Sequence, residues 1–230
     1  MGVLFCTIRE ALSRLRSAAL DREMYKPCWQ EGTLGFGGGT GPGPHYRRPD
    51  CYDVVSPSEE ELTVLFFLSR VLRPECVVEY GTGTGMSAAC LAMGSPRAKV
   101  YTADLCSPND LSGECEELWR RLGLQNIRYF REDWSVLPRA VEGDGECPTL
   151  FFLDGSVAGY PGIPDFHGIG PKPVFLVHDF TSSVFKGEGE EWWLLDSSAL
   201  LAFRSPDAPL HETLWNLVSL VVPIERFKVQ

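Results

Sequence analysis

The sequence has no excess of basic residues and no long apolar segment. Its 21 lysine and arginine residues are outnumbered by 31 aspartate and glutamate residues, which gives a net charge of −10. A nucleic-acid backbone usually requires a basic face, so this balance argues against a nucleic-acid substrate. No stretch approaches the roughly 20 apolar residues that a membrane-spanning helix needs. We therefore expect a cytoplasmic protein that acts neither on nucleic acid nor in a membrane.

Paired cysteine motifs are also missing, although the sequence contains eight cysteines. None of them form a C-x-x-C pair, and Cys76 and Cys90 fall within apolar patterns. The apolar start of the chain is interrupted by Arg9 and Glu10, which differs from the pattern of a secretory signal. These features predict reduced, mostly buried thiols in a cytosolic protein rather than a disulfide framework.

The chain of 230 residues has the length of a single domain with a three-layer core. Apolar residues recur at helical spacing over 3–24, which predicts an amphipathic helix. The segment 29–52 is rich in glycine and proline, above all over 32–44, and has no packing pattern of its own. We therefore divide the chain into an N-terminal helix with a Gly-rich segment, 1–54, and a main domain, 55–230.

The most informative stretch reads Cys-Val-Val-Glu-Tyr-Gly-Thr-Gly-Thr-Gly-Met-Ser-Ala-Ala-Cys-Leu and covers 76–91. An apolar run ends in Glu79, passes through Gly81, Gly83 and Gly85, and enters a helical pattern. Such glycines allow a sharp turn and the close approach of a ligand, and the start of the helix offers unpaired N–H groups. The spacing is G-x-G-x-G rather than the G-x-G-x-x-G of dinucleotide-binding folds, and no Gly-Lys-Ser/Thr follows as in a P-loop. The stretch therefore predicts a small-molecule site between a strand and a helix.

This arrangement resembles motif I of the class I S-adenosylmethionine (SAM)-dependent methyltransferases. The run Glu-Tyr-Gly-Thr-Gly-Thr-Gly-Met-Ser is especially similar to the small-molecule O-methyltransferases of the catechol and caffeoyl-CoA type. The resemblance implies that Glu79 lies near the amino end of the methionine moiety of SAM and that Ser87 contacts its carboxylate. In that family the acceptor-recognising segment often precedes the glycine strand. Segment 29–52 is therefore either a flexible linker or a mobile cover over the acceptor site.

Strands and helices alternate with short joints beyond the motif, which predicts a doubly wound parallel sheet. The predicted strands are 75–80, 99–104, 127–131, 149–154 and 173–178, and the predicted helices are 56–73, 86–94, 112–122, 135–142 and 188–203. The resemblance implies that a terminal pair, 210–215 and 217–226, closes the sheet with antiparallel strands. We expect an α/β protein with a Rossmann-like, doubly wound, seven-stranded sheet, parallel with one antiparallel strand, in a three-layer α/β/α sandwich.

Acidic residues follow two further predicted strands, at the edge where open α/β sheets bind their ligands. Asp104 ends the strand 99–104, and in SAM enzymes the acid at this position accepts hydrogen bonds from both ribose hydroxyls. Asp133 follows the strand 127–131, and the resemblance implies that it contacts the adenine amino edge; the alternative is that it caps the next helix. The adjacent Trp134 is suited to stacking on the adenine ring.

The next two strands end in Asp154-Gly155 and His178-Asp179. Two carboxylates on neighbouring strand ends are suited to sharing Mg²⁺, so Asp154 and Asp179 are candidate metal ligands. The catechol and caffeoyl-CoA enzymes have an Asp-Asn pair at the second position, whereas Phe180 follows Asp179 here. The two endings also resemble those of sugar and antibiotic O-methyltransferases. In a metal-free alternative, Asp154 or His178 takes the acceptor proton, unless His178 is a core imidazole.

Together these features predict SAM-dependent transfer of a methyl group to an oxygen of a small-molecule acceptor, with SAM as cofactor and Mg²⁺ in the metal-assisted version. One alternative is a catalytically degenerate protein of the same fold that binds or regulates. Another is a SAM-fold enzyme with chemistry other than methyl transfer. The sequence sets neither the acceptor nor the oligomeric state, for which a homodimer is one option.

Overall fold

The computed structural model describes residues 2–20, 26–28, 45–47, 57, 59–104, 112–154, 169–178, 191–195, 201–222 and 224–228. Helix α1 is Gly2–Leu20, and the short strands β1, Lys26–Cys28, and β2, His45–Arg47, pair in antiparallel fashion. The predicted N-terminal helix is thereby confirmed. The Gly-rich stretch 32–44 lies outside the described residues, so its role as linker or cover stays a prediction.

The remaining elements follow one another as α2 (Glu59–Leu72), β3 (Cys76–Tyr80), α3 (Met86–Gly94), β4 (Lys99–Ala103), α4 (Ser112–Leu122), β5 (Ile127–Phe130), α5 (Val136–Gly143), β6 (Leu150–Leu153), β7 (Val174–His178), β8 (Glu191–Leu195), β9 (Leu201–Arg204), α6 (Ala208–Val218) and β10 (Ile224–Lys228). From α2 to β7, each of these elements confirms a predicted one. None of the helices in the described ranges is long and apolar enough to cross a membrane.

The main sheet of the described chain has eight strands in the order β10-β8-β9-β7-β6-β3-β4-β5. The five strands from β7 to β5 are parallel, and β9, β8 and β10 extend the sheet through antiparallel pairings. The order confirms the doubly wound α/β class, because the chain moves outward from β3 first in one direction and then in the other. The predicted count of seven strands with one antiparallel strand is not confirmed.

The C-terminal part of the sequence-based prediction is wrong. Strands β8 and β9 occupy the predicted helix 188–203, and helix α6 occupies the predicted strand 210–215. The sequence Glu-Trp-Trp-Leu-Leu favours a strand because aromatic residues fit a pleated surface, and its partner β10 lies far away in the chain. A start signal for α6 is present in Asp207, whose carboxylate accepts a hydrogen bond from the N–H of Leu210 at 2.8 Å.

Two apolar cores cover the two faces of the sheet. One core lies between the sheet and helices α1, α2, α3, α4 and α6, and the other lies between the sheet and α5. Successive residues of a strand alternate between these cores, so Phe152 belongs to the first core and Phe151 to the second. Burial on both faces explains the uninterrupted apolar sequence Leu-Phe-Phe-Leu of β6. The three-layer arrangement is therefore confirmed.

The helix cap at Asp207 gives a test of the C-terminal architecture. Replacing Asp207 with Ala removes the acceptor for the Leu210 N–H and should lower the free energy of unfolding by about 1 kcal/mol. Asp207→Asn keeps a capping oxygen and removes only the charge, so it should stay within about 0.5 kcal/mol of the wild type. Urea unfolding followed by circular dichroism measures both. Equal stability of all three proteins would contradict the helix start at this residue.

Candidate functional site

The glycine turn lies at the carboxyl end of β3, where the strand order reverses between β3 and β6. Two backbone hydrogen bonds hold its start in place. The N–H of Gly81 donates to the carbonyl of Ala103 at 2.9 Å, and the N–H of Asp154 donates to the carbonyl of Tyr80 at 2.7 Å. The ends of β4 and β6 therefore flank the turn on either side. This is the position at which open α/β sheets bind their ligands.

Close packing explains why the turn needs glycine at two of its positions. Gly81 has φ +87°, and a Cβ atom there would lie 1.9 Å from the carbonyl oxygen of Asp154. Gly85 has φ +76°, and a Cβ atom there would lie 3.0 Å from the side chains of Cys115 and Trp119. Both positions combine a left-handed backbone with a lack of space, so only glycine fits without strain.

Helix α4 holds the other end of the turn. The indole N–H of Trp119 donates to the carbonyl of Gly85 at 2.8 Å, and the thiol of Cys115 donates to the carbonyl of Gly83 at 3.2 Å. These two side chains are four residues apart and share one face of the helix. Their contacts with the turn were not predicted, although an i, i+4 pair of a cysteine and a tryptophan is visible in the predicted helix 112–122.

Glu79 is fully buried beneath the turn, on the face of the sheet that α3 covers. Neither of its carboxylate oxygens has a hydrogen-bond partner of good geometry among the described residues. Burial raises the pKa of Glu79 to about 8, although the nearby hydroxyls of Ser87 and Thr102 act in the opposite direction. A buried carboxylate without partners is costly and is suited to meeting hydrogen-bond donors from a ligand. Ser87 is itself buried in the first turn of α3.

Asp104 lies across the turn from Glu79. It is partly buried, and one carboxylate oxygen accepts a hydrogen bond from the N–H of Gly83 at 2.7 Å. Burial raises the pKa of Asp104, and the hydrogen bond from Gly83 partly offsets this effect. The negative charge of Asp104 also contributes to raising the pKa of Glu79.

Asp133 and Trp134 lie at the start of α5. Asp133 accepts a hydrogen bond from the N–H of Ser135 at 3.0 Å, so its side chain stabilises the turn before the helix. The ring of Trp134 stacks on that of Tyr80, with ring centroids 5.0 Å apart and an angle of 22° between planes. Because Tyr80 directly precedes Gly81, this contact brings Trp134 to the glycine turn, on the sheet face opposite to Glu79.

Asp154 and His178 form a hydrogen-bonded pair at the ends of β6 and β7. Nδ1 of His178 lies 3.0 Å from Oδ1 of Asp154, and Nε2 lies 3.5 Å from Oε1 of Glu61 in α2. Burial alone would lower the pKa of His178, but the carboxylates of Asp154 and Glu61 raise it well above its ordinary value. The side chain of His178 is 3% exposed and that of Asp154 is 20% exposed. Asp154 is therefore the member of the pair that faces outward.

Glu61 was not singled out from the sequence, where it lies within the predicted helix 56–73. Glu61 is fully buried, and it precedes the buried Leu65 and Leu68 by four and seven residues. An acid at the head of an apolar stripe is a signal that was available in the sequence.

The second candidate metal ligand, Asp179, lies outside the described residues. Among the residues that the structure does describe, no group of three His, Cys, Asp or Glu side chains has the arrangement of a metal site. The metal hypothesis therefore has one described member, Asp154.

Comparisons with known proteins show which solved structures share this fold. No family model and no curated protein sequence matches the chain. Cofactor-bound Rv0187 from MTB is similar in structure, with 13% identity, 86% of this chain and 88% of that chain covered, and a TM-score of 0.53. The SAM-dependent methyltransferase from Agrobacterium tumefaciens is also similar, with 16% identity, 81% and 71% covered, and a TM-score of 0.51.

A third similar structure is the methyltransferase PaMTH1 of Podospora anserina bound to S-adenosylhomocysteine (SAH). It has 21% identity and a TM-score of 0.47, and 57% of this chain and 56% of that chain are covered. The chain thus matches little more than half the length of PaMTH1. The resemblance to SAM-dependent methyltransferases is confirmed for the fold, on the basis of the Agrobacterium structure, which carries that name and has a TM-score above 0.5.

The contact between Gly81 and Asp154 can be tested by adding a methyl group. Gly81→Ala should lower the free energy of unfolding by about 3 kcal/mol or more, because left-handed strain and steric overlap add together. Gly123→Ala is the matched control: its φ is +72°, but no atom lies within 4 Å of the added Cβ. That variant should lose only about 1 kcal/mol. Similar losses at the two positions, measured by urea unfolding, would contradict the close approach of β6.

The buried state of Glu79 predicts a pH effect in the ligand-free protein. Its pKa is about 8 in the folded state against 4.5 ordinarily, so the folded protein binds this proton more tightly than the unfolded chain. The resulting stability is complete below pH 4.5 and is lost as the pH rises through about 8. Between pH 4.5 and about 8, the free energy of unfolding of the wild type should therefore fall relative to that of Glu79→Gln, because the glutamine side chain stays neutral.

The measurement is chemical unfolding at a series of pH values. Glu132→Gln removes an exposed carboxylate and serves as the control, with a pH profile parallel to that of the wild type. A Glu79→Gln profile that also runs parallel to the wild type would show that folding leaves the pKa of Glu79 unchanged.

Proposed function

We propose that the protein is a SAM-dependent methyltransferase that transfers a methyl group to an oxygen of a small-molecule acceptor. The observation that carries this proposal is the buried, unpartnered carboxylate of Glu79 beneath a glycine turn at the switch point of the sheet. The methyltransferase fold supports the same conclusion, and so does the SAM dependence that the name of the Agrobacterium structure states.

The residues around the turn fit SAM. The oxygens of Glu79 are suited to the cationic amino end of a methionine moiety, and Gly81 and Gly83 have no side chain that would block the approach of a ligand. Asp104 has one oxygen on Gly83 and carries a further acceptor site for ribose hydroxyls. Ser87, Asp133 and Trp134 complete the proposed binding residues, for the carboxylate, the adenine edge and the adenine ring. When bound, SAM supplies an electrophilic methyl group on sulfur.

Asp154 is the residue that we assign to the acceptor. Its carboxylate lies at the carboxyl edge of the sheet, next to Gly81, and is the outward-facing member of its pair with His178. In this position it would accept the proton of an acceptor hydroxyl and orient the oxygen. Both ring nitrogens of His178 face carboxylates, so this imidazole would support Asp154 rather than meet the acceptor itself.

Metal assistance is the alternative version of the same site. Asp154 and Asp179 would then hold a divalent cation that stabilises the acceptor oxyanion. Oxygen rather than nitrogen as the acceptor atom is favoured by the motif, which is most similar to O-methyltransferases, and by the Asp-Gly and His-Asp strand endings.

The proposal is tested by titrating SAM into the wild type and two variants in a calorimeter. We expect micromolar binding to the wild type and a loss of about tenfold or more in Asp104→Asn, equivalent to about 1.4 kcal/mol. Asparagine still accepts the hydrogen bond from Gly83, so the turn is kept while the charged acceptor for ribose hydroxyls is lost. Glu75→Gln removes an exposed carboxylate at the opposite, amino end of β3 and should bind within about twofold of the wild type.

A wild-type protein that does not bind SAM in the micromolar range would contradict the proposal. The second step is SAH release in the presence of a panel of hydroxylated small molecules. Binding without turnover would favour the catalytically degenerate alternative. Where turnover occurs, loss of activity with EDTA and recovery with Mg²⁺ identify the metal-assisted version.

A further inference from the structure

A line of three buried or partly buried ionisable groups runs from α2 to the edge of the glycine turn. Glu61 faces Nε2 of His178 at 3.5 Å, and Nδ1 of His178 lies 3.0 Å from Asp154. The backbone of Asp154 contacts the glycine turn, because its carbonyl oxygen lies where a Cβ atom of Gly81 would be. The line therefore begins in the core and ends at the proposed acceptor position.

The burial of Glu61 needs an explanation. Its side chain has no exposed surface, and burying a carboxylate costs several kcal/mol unless it is paired. A leucine at this position would continue the apolar stripe of Leu65 and Leu68 without that cost. An acid here places a carboxylate 3.5 Å from Nε2 of His178, on the side away from Asp154.

The carboxylate of Glu61 can orient the imidazole ring of His178. An imidazole ring that pairs only with Asp154 can rotate about its χ angles, and the side chain of Asp154 can then change its conformation together with the ring. A carboxylate faces each ring nitrogen, Asp154 at 3.0 Å and Glu61 at 3.5 Å, and the Phe152 ring lies beside the imidazole, 6.3 Å away between centroids. These neighbours favour one orientation of the ring. The side chain of Asp154 is then held at one end, which leaves its other oxygen in a defined direction at the edge of the turn.

We propose that Glu61 is a positioning residue for the reaction, which acts through His178 to fix the carboxylate of Asp154 beside the glycine turn. The proposal rests on the proposed function, because it assigns Glu61 a purpose in the transfer step. Glu61 itself does not meet SAM or the acceptor.

The test compares Glu61→Gln with Glu60→Gln, which makes the same change one residue away, at a partly exposed position. The side chains of Gln and Glu have the same size, and a melting curve establishes that each variant folds. With the best acceptor from the hydroxylated panel, kcat of Glu61→Gln should fall about tenfold or more. The KM for SAM and the calorimetric Kd for SAH should stay within about twofold, since Glu61 does not contribute to cofactor binding.

A double-mutant cycle with His178→Asn tests whether Glu61 acts through His178. In the His178→Asn background, Glu61→Gln should change kcat by less than about twofold, because the link is already broken. Multiplicative effects of the two substitutions would overturn the proposal, as would an unchanged kcat in Glu61→Gln or an equal loss in Glu60→Gln.

Crystal structures of the ligand-free wild type and Glu61→Gln test the positioning role without an activity assay. The distance from His178 Nδ1 to Asp154 should exceed 3.5 Å, or Asp154 should adopt more than one rotamer, in the variant only. An unchanged pair would overturn the positioning role. Failure of the wild type to bind SAH would instead overturn the proposed function, and the crystallographic comparison would still decide what Glu61 does.

Discussion

The close approach of the end of β6 to the glycine turn is the constraint on which the site depends. The carbonyl of Asp154 occupies the space that any side chain at Gly81 would need, and the N–H of Asp154 bonds to Tyr80. The same residue therefore closes the turn with its backbone and presents its carboxylate at the sheet edge. A wider spacing of β3 and β6 would separate the turn from the residue that we assign to the acceptor.

Electrostatics adds a second feature to this geometry. Glu79, Asp104 and Asp154 lie around the turn, and the imidazole of His178 already faces two carboxylates. Burial penalises this concentration of negative charge and raises the pKa values of Glu79 and Asp104. A cationic ligand at the turn would relieve that penalty. The acidic site is thus matched to a sulfonium and an ammonium group better than to a phosphate, which separates it from the dinucleotide-binding turns that it superficially resembles.

Much of the fold was predictable because its central part is encoded locally. The apolar strands, the glycine spacing and the helix starts each lie within a few residues of one another. The C-terminal region was not predictable in this way, because β8 is stabilised by pairing with the distant β10 and the helix preference of 188–203 is overridden. The same division holds for the site. Glu79 and Asp154 follow from strand ends, whereas the role of Glu61 depends on a contact between residues more than 100 positions apart.

A crystal structure of the wild type with SAH tests the central claim most directly. We predict that the ligand lies over 80–86, with its amino group at Glu79, its ribose hydroxyls at Asp104 and its sulfur directed toward the side of Asp154. SAH bound elsewhere on the protein, or at the turn with Glu79 still unpaired and Asp104 still bonded only to Gly83, would contradict the account.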